Sequence, residues 1–490
     1  MTNSCTLSHS LLSDFSKFVE ERMGLHFPKE RFRDLERGLF SAAKEFGYKD
    51  ACSYLAWLLS TPLSHSQIEM LASHLTVGET YFYRDKGSFE ALREHVLPGL
   101  IQSRRGKEQR LRFWSAGCAT GEEAYSIAML LDNIIPDIKD WSITILATDI
   151  NPHFLKSAAE GVYREWSFRS APLWVKERYF TKTKDGFEVL PRIREMVSFA
   201  YHNLVDDPYP ALINNTSAMD IIFCRNVLMY FSRKRTKEVV RHLNRCLTDN
   251  GWLVISPVEH FHAASSLFKV VKFPGATLYK KAKHEDVKTP LAGTVIETPT
   301  PKWGDAISQL LHDIAPAKEE RAGSPYEELS LCKGPGETAL SGENLPLLPQ
   351  EDNAEASMVL QARSAADRGR LSDALELCEK AIGADKLNPS LHYLYATVLQ
   401  ESGRSAEAAA SFKRAIYIDQ DFVIAHFALG HLMHRQGRYK EAGRHFENAC
   451  SILKSYGQDD ILPESEGISA GRLIEIIQTM RPAGAMPKVS

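Results

Sequence analysis

Apolar and polar positions alternate with different periods in successive parts of the chain. Residues 1–75 repeat their apolar positions at helical spacing and predict a small helical subdomain. Beyond them the pattern switches to short apolar runs separated by amphipathic stretches. Residues 111–116 (LRFWSA), 143–148 (ITILAT), 196–203 (MVSFAYHN), 219–226 (MDIIFCRN) and 252–257 (WLVISP) read as buried strands. Between the first two, Ala124, Ile127, Ala128, Leu131 and Ile135 fall on one helical face. Strands alternating with helices predict an α/β fold: a Rossmann-like, doubly wound, mostly parallel sheet with helices on both sides. Residues 270–281 read as a final hairpin at the sheet edge.

The C-terminal part repeats instead of alternating. Gly369, Gly403 and Gly437 are 34 residues apart, as are Ala374, Ala408 and Ala442, and Ala381, Ala415 and Ala449. Cys378, Phe412 and Phe446 share a further phase, and Ala362, Ala396 and Gly430 another. Small residues at fixed phases let paired helices approach, the glycine turns between them, and the aromatic fills the gap to the next hairpin. This spacing resembles the tetratricopeptide repeat. The resemblance implies an all-α domain over residues 356–456 whose concave surface takes a protein or peptide partner. Residues 457–490 form a tail in which 468–481 predicts a capping helix.

Composition separates the two bodies. Residues 284–355 hold 14 acidic and 5 basic residues and 8 of the 23 prolines, which predicts an acidic, Pro-rich linker acting as a flexible tether. A short helix at 304–314 is the one expected interruption. A whole-chain net charge of −3 excludes a strongly basic nucleic-acid binder. No run approaches the ~18 apolar residues of a membrane span. No leader pattern opens the chain, and the eight cysteines form no CxxC pair. The expectation is a cytoplasmic protein without a metal site.

Two strand ends carry the candidate chemistry. The first strand runs into SAGCATGEEAYS, where Gly117 and Gly121 bracket a tight turn that opens a helix and bares backbone N–H groups. Glu122 and Glu123 follow at once; they complement the helix dipole and would repel a pyrophosphate. The second strand ends in Asp149, at the place where doubly wound folds bond ribose hydroxyls. A glycine loop flanked by acids, beside a ribose acid, favours S-adenosylmethionine, a nucleoside with a sulfonium cation and no phosphate.

Residues 78–85 (GETYFYRD), 113–129 (FWSAGCATGEEAYSIAM), 147–163 (ATDINPHFLKSAAEGVY) and 220–231 (DIIFCRNVLMYF) resemble the CheR-type chemotaxis-receptor methyltransferases, over roughly residues 11–281. The resemblance implies transfer of methyl from S-adenosylmethionine to glutamate side chains of transmembrane chemoreceptors. It implies a helical subdomain at 1–75, a methyltransferase domain at 76–283 and a small antiparallel insertion at about 177–197. Carried over by motif, Gly78, Thr80 and Arg84 fall at the methionyl end of the cofactor. Glu122 or Glu123 falls by the sulfonium and ribose, and Asp149 on the ribose. Asn203, Leu204, Arg225 and Asn226 line the adenine and methionyl pocket. Tyr230 lies close to the reacting methyl and, with Arg225 and Arg84, makes the catalytic set. This chain departs from the family at Gly78, where some members have Asn, and at Ser256-Pro257-Val258-Glu259, where Gly-His-Ser-Glu is usual.

A glutamate is already ionised at neutral pH, so the implied chemistry needs alignment and not a general base. Arg84, Arg225 or the Arg104-Arg105 pair is placed to steer the carboxylate, although the latter pair reads better as surface charge. The helix at 28–46 carries Arg33 and Arg37 on one face, a docking surface for an acidic receptor helix or simply a solvated face. Contact with the membrane is expected through the receptor only. The other reading is a repeat-based scaffold or regulatory module with a non-catalytic methyltransferase-like body. Every cofactor motif precedes Lys281, so residues 1–283 alone are expected to bind the cofactor about as well as the full chain.

Overall fold

The computed structural model describes residues 7–211, 214–259, 267–282, 350–465 and 467–480. The linker, with its expected tether behaviour and its helix at 304–314, lies outside the described residues apart from its last few positions. Four helices open the chain: α1 (His9–Met23), α2 (Phe32–Glu45), α3 (Ala51–Ser60) and α4 (His65–Leu75). Their starts are set by side-chain caps: Ser8 accepts from Leu11, Asp50 from Ser53, and Ser64 forms a reciprocal capping box with Gln67. Phe15, Leu35, Leu39, Tyr54 and Leu71 close a core of their own.

The central body is built on seven strands in the order β6-β2-β1-β7-β8-β10-β9. These are β1 (Arg110–Ala116), β2 (Ser142–Asp149), β6 (Val197–Tyr201), β7 (Met219–Phe223), β8 (Leu247–Val254), β9 (Phe268–Phe273) and β10 (Ala276–Lys281). The first five in that order pair parallel, and the β9–β10 hairpin closes the edge antiparallel, as the apolar runs predict. A separate antiparallel sheet joins β3 (Val162–Tyr163), β5 (Phe187–Val189) and β4 (Phe180–Lys182). Strand β3 lies well before residue 177, outside the expected bounds of the insertion. Helices α5 (Lys86–Ala91), α6 (Leu97–Arg104), α7 (Glu122–Ile134), α8 (Pro152–Glu160), α9 (Leu173–Tyr179), α10 (Pro191–Arg194) and α11 (Arg233–Cys246) complete the body.

Three helical hairpins follow: α12 (Gln350–Asp367) with α13 (Leu371–Ala384), α14 (Pro389–Glu401) with α15 (Ser405–Ile418), and α16 (Val423–Arg435) with α17 (Tyr439–Leu453). Gly369, Gly403 and Gly437 take φ of +75°, +79° and +74° in the turns, a conformation that favours glycine. A Cβ on Gly430 would sit 2.8 Å from the Phe446 ring, which explains why this phase of the repeat is small. The tail supplies α18 (Ala470–Met480), the expected capping helix.

The hairpins are not held apart from the central body. Strand β1 is buried throughout, although two of its residues are arginines. Arg110 and Arg112 both reach the carboxylate of Glu401, at the end of α14. Beside them Asp220, on β7, accepts from Arg104 at 2.7 Å and from the backbone N–H of Arg112 at 2.9 Å. Arg104 is therefore a partner in the base of the sheet and not a free surface charge. Arg105 pairs with Asp137 at 2.7 and 2.8 Å. Three buried or half-buried guanidiniums meet Asp220 and Glu401, with Glu108 3.5 Å from Arg110, and the set fastens the repeats to the N-terminal end of the sheet.

Removing one partner of such a buried set leaves uncompensated charge. Asp220→Ala is expected to cost about 3 kcal/mol in urea denaturation; an unchanged midpoint would mean that solvent already screens the cluster.

Candidate functional site

A cleft opens at the carboxyl ends of β6, β2, β1 and β7, and the N-terminal helices wall its other side. The loop leaving β1 is shaped by close approach. Gly117 has φ +81° and a Cβ there would lie 2.3 Å from Val227, while Gly121 (φ +91°) faces Ala158 at 2.8 Å. Asp149 holds this loop: its carboxylate accepts from the N–H of Ala119 and of Asn151, both at 2.9 Å. Burial raises the Asp149 pKa to about 6, against the backbone donors that favour its charged form. Its remaining lone pairs are free for hydroxyl donors in the cleft.

Arg225, almost fully buried, sits between two carboxylates: Glu123 at 3.1 Å and Asp85 at 3.4 Å. Glu123 also accepts from Ser115 at 2.7 Å. Nε of Arg225 has no partner within the protein and is a donor available to an anionic group. Asn226 follows with φ +58°, and Asp85 and Ala119 likewise hold positive φ, so strained backbone gathers at the cleft. Glu259 pins the segment after β7 by accepting from the N–H of Asn226 (2.9 Å), Met229 (3.1 Å) and Ser256 (3.0 Å). The departure at 256–259 thus keeps the residue that shapes the turn. Tyr230 closes this side, its carbonyl accepting from the N–H of His26 at 2.7 Å, with the Arg31 guanidinium 5.9 Å from its ring.

The cleft wall brings together Thr80, Arg84, Glu123 and Asp149 with Asn203, Leu204, Arg225, Asn226 and Tyr230. Two expected positions lie behind it. Glu122 turns away to accept from Thr120 (2.7 Å) and Ser167 (3.0 Å), which decides between the adjacent glutamates for the wall in favour of Glu123. Gly78 underlies Phe154, a wall residue whose ring would be 2.5 Å from a Cβ at 78. In this chain an Asn there would displace that ring. Arg104 and Arg105 are at the base of the sheet and take no part. Sequence reasoning missed His26, Arg31, Phe154 and Glu259. Only Glu259 had a local signal, as the retained acid of the altered motif.

A doubly wound sheet with a glycine loop and a ribose-type acid on neighbouring strand ends, flanked by acids and lacking a phosphate cradle, defines the class of S-adenosylmethionine-dependent methyltransferases. Residues 78–276 match the family model described as CheR methyltransferase, SAM binding domain, and residues 365–429 and 423–448 match tetratricopeptide-repeat models. A chemotaxis protein methyltransferase of Borreliella burgdorferi is 31% identical over 259 residues, covering 52% of this chain and 90% of that one. Chemotaxis protein methyltransferase 2 of Vibrio cholerae is 30% identical, covering 55% and 93%. The probable biofilm formation methyltransferase WspC of Pseudomonas aeruginosa is 26% identical but covers 77% of this chain and 84% of its own. The chain belongs to the CheR methyltransferase family, and its cofactor is S-adenosylmethionine.

The residues of the cleft fit that group: a carboxylate for hydroxyls, acids near a cation, and an orphaned guanidinium N–H for a carboxylate. A ligand with hydroxyls and a positive charge favours ionised Asp149, so its affinity should fall as pH drops through about 6. Calorimetry with S-adenosylmethionine is expected to give binding about 10-fold weaker at pH 5 than at pH 7.5. Asp149→Asn should flatten that dependence, and Asp149→Ala should cost about 1.5–3 kcal/mol. A pH-independent wild-type affinity would remove Asp149 from the ribose role.

Proposed function

We propose that the protein methylates glutamate side-chain carboxylates on the cytoplasmic helices of chemoreceptors. The observation that carries this reading is that the acids at the cleft are committed to partners other than a nucleophile, Glu79 to Arg169 at 3.3 Å and Asp149 to the N–H groups of its loop among them. Glu123 and Asp85 are spent on Arg225, and Glu259 on backbone N–H groups. His26 is bonded to Glu20 at 3.0 Å, an arrangement that assists a base and does not remove one, but a carboxylate nucleophile offers it no proton. Burial holds His202 at a pKa of about 4, too weak a base for an amine or a hydroxyl. A glutamate arrives already ionised and needs no base. The relatives are named as methyltransferases of chemotaxis and of biofilm formation, which fits this reading.

The bound cofactor supplies an electrophilic sulfonium methyl; the protein supplies alignment. In this reading Asp149 accepts from the ribose hydroxyls, and Asn203 and Leu204 flank the adenine. Arg84 and Nε of Arg225 face the methionyl carboxylate, with Thr80 and Asn226 beside them. Arg225, anchored by two acids, is a fixed floor and not a mobile steering arm. Tyr230 narrows the approach to the methyl, with Arg31 beside it to orient the incoming carboxylate. Loose orientation is sufficient, since a tight clamp would stabilise the ground state and slow transfer.

In this reading the receptor helix docks on a shallow groove of α2 where Arg33, Arg37 and Lys44 outnumber the one acid, Glu36, beside the half-exposed ring of Phe40. Met229 and Val258, both apolar and exposed, lie on the segments that Glu259 ties together at the cleft. The repeats recruit or regulate through a protein partner. No helix among the described residues is long and apolar enough to cross a membrane, and contact with the membrane is assigned to the receptor. The intact floor of the cleft argues against a non-catalytic scaffold.

Radiolabelled S-adenosylmethionine and membranes containing the cognate receptor provide the test. Label on the receptor that alkali releases marks a carboxyl ester, whereas alkali-stable label would overturn the glutamate assignment. Arg33→Glu with Arg37→Glu should raise the receptor KM about 5-fold or more, with cofactor affinity unchanged. An unaltered KM would remove α2 from docking.

A further inference from the structure

The tail beyond the last repeat is not a loose end. Ile461 and Ser469 form a bridge, and the fully buried Ser465 hydroxyl bonds the carbonyls of Leu462 (2.7 Å) and Ile468 (3.0 Å). Leu462 and Ile468 belong to the same apolar cluster as Tyr393 and Phe427 of the repeats, and Arg363 of α12 pairs with Glu464. This closed loop delivers α18. Leu473 and Ile477 sink into the repeat core, while Arg472 projects onto the methyltransferase body. Its guanidinium lies 4.6 Å from the ring centre of Tyr201, 3.6 Å from Glu69 and 3.4 Å from Glu475.

What Arg472 touches adjoins the cleft. Tyr201 is the last residue of β6 and lies opposite Asp149 in the ladder. The next residue, His202, donates its N–H to the Asp149 carbonyl at 3.2 Å, and Asn203 and Leu204 then enter the cleft wall. The N–H of Asn203 is held by Asp207 at 2.7 Å. Asp207 lies 3.6 Å from His65, whose other ring nitrogen is 3.5 Å from Glu69 and whose ring meets the edge of Tyr201. Two acids, Glu69 and Asp207, therefore flank the end of β6, and the fixed positive charge among them comes from Arg472. Without it they face two histidines, His65 and His202, neither of them a fixed charge, and Tyr201 loses the cation over its ring.

We propose that Arg472 is a positioning residue for the cofactor: the helix after the repeats braces the end of β6 and so fixes Asn203 and Leu204. The inference rests on the reading of the cleft as the cofactor site. It changes the expectation that residues 1–283 suffice, because a fragment ending there lacks the brace. By linkage, a partner that draws the repeats off the body weakens cofactor binding, and bound cofactor resists that partner.

The test uses the full chain. Calorimetry with S-adenosylhomocysteine, and cofactor KM and kcat on receptor membranes, are measured beside the melting temperature. Arg472→Met is expected to raise Kd and cofactor KM about 5–20-fold, with kcat at saturation within about twofold. Arg472→Lys should restore most of the affinity by returning the charge. Glu401→Gln, which loosens the repeats at the opposite end of the sheet, should leave Kd within about twofold. Wild-type affinity in folded Arg472→Met would overturn the proposal. So would equal losses in Arg472→Met and Glu401→Gln that follow their melting temperatures. Failure of the wild-type protein to bind S-adenosylhomocysteine would instead overturn the assignment of the cleft.

Discussion

One buried guanidinium organises the site. Arg225 leaves the end of β7 into a space where it is almost fully enclosed, and it is tolerable there only because Glu123 and Asp85 meet it from two other elements. That requirement fixes the first turn of α7 against the start of α5 and the segment beyond β7. The three together set the floor of the cleft. With two acids on one cation, the floor keeps a net negative charge that suits a sulfonium and repels phosphate. The strained backbone at Ala119 and Asn226 is held beside that floor by two further carboxylates, Asp149 and Glu259.

The rest of the molecule is fastened around that floor by charges of the same kind. At the N-terminal end of the sheet, Asp220 and Glu401 gather Arg104, Arg110 and Arg112. At its cleft end, Arg472 meets Glu69 and Tyr201. The repeat unit therefore grips the methyltransferase body at two ends of one sheet. A partner that binds the repeats acts on a body already attached to them, and not through a tether alone.

The sheet was legible because its central strands are short, largely apolar runs, and the repeats because five phases agree over three repeats of a fixed period. The two-residue strand Val162–Tyr163 was not, since so short a stretch has no period. Cleft residues that sit in a strand-end motif, such as Asp149 and Arg225, were readable because the backbone alone brings them to one edge. Glu122 and Glu123 could not be told apart by sequence: neighbours on a helix point about 100° apart, and which one meets Arg225 depends on the helix rotation. His26 and Arg31 reach the cleft only through packing of the N-terminal helices. The arginines of β1 stand out as an anomaly in a buried strand, but their partner Glu401 lies in another domain of the sequence.

The central claim is that the protein aligns an already ionised nucleophile and removes no proton from it. Single-turnover methyl transfer to receptor membranes at saturating cofactor, followed from pH 5 to pH 9, measures this directly. The account predicts a rate that is flat above about pH 6, because a glutamate with pKa about 4.3 is ionised throughout that range. A rate that climbs through a single ionisation between about pH 6.5 and pH 9 would require a general base in the protein and would contradict the account.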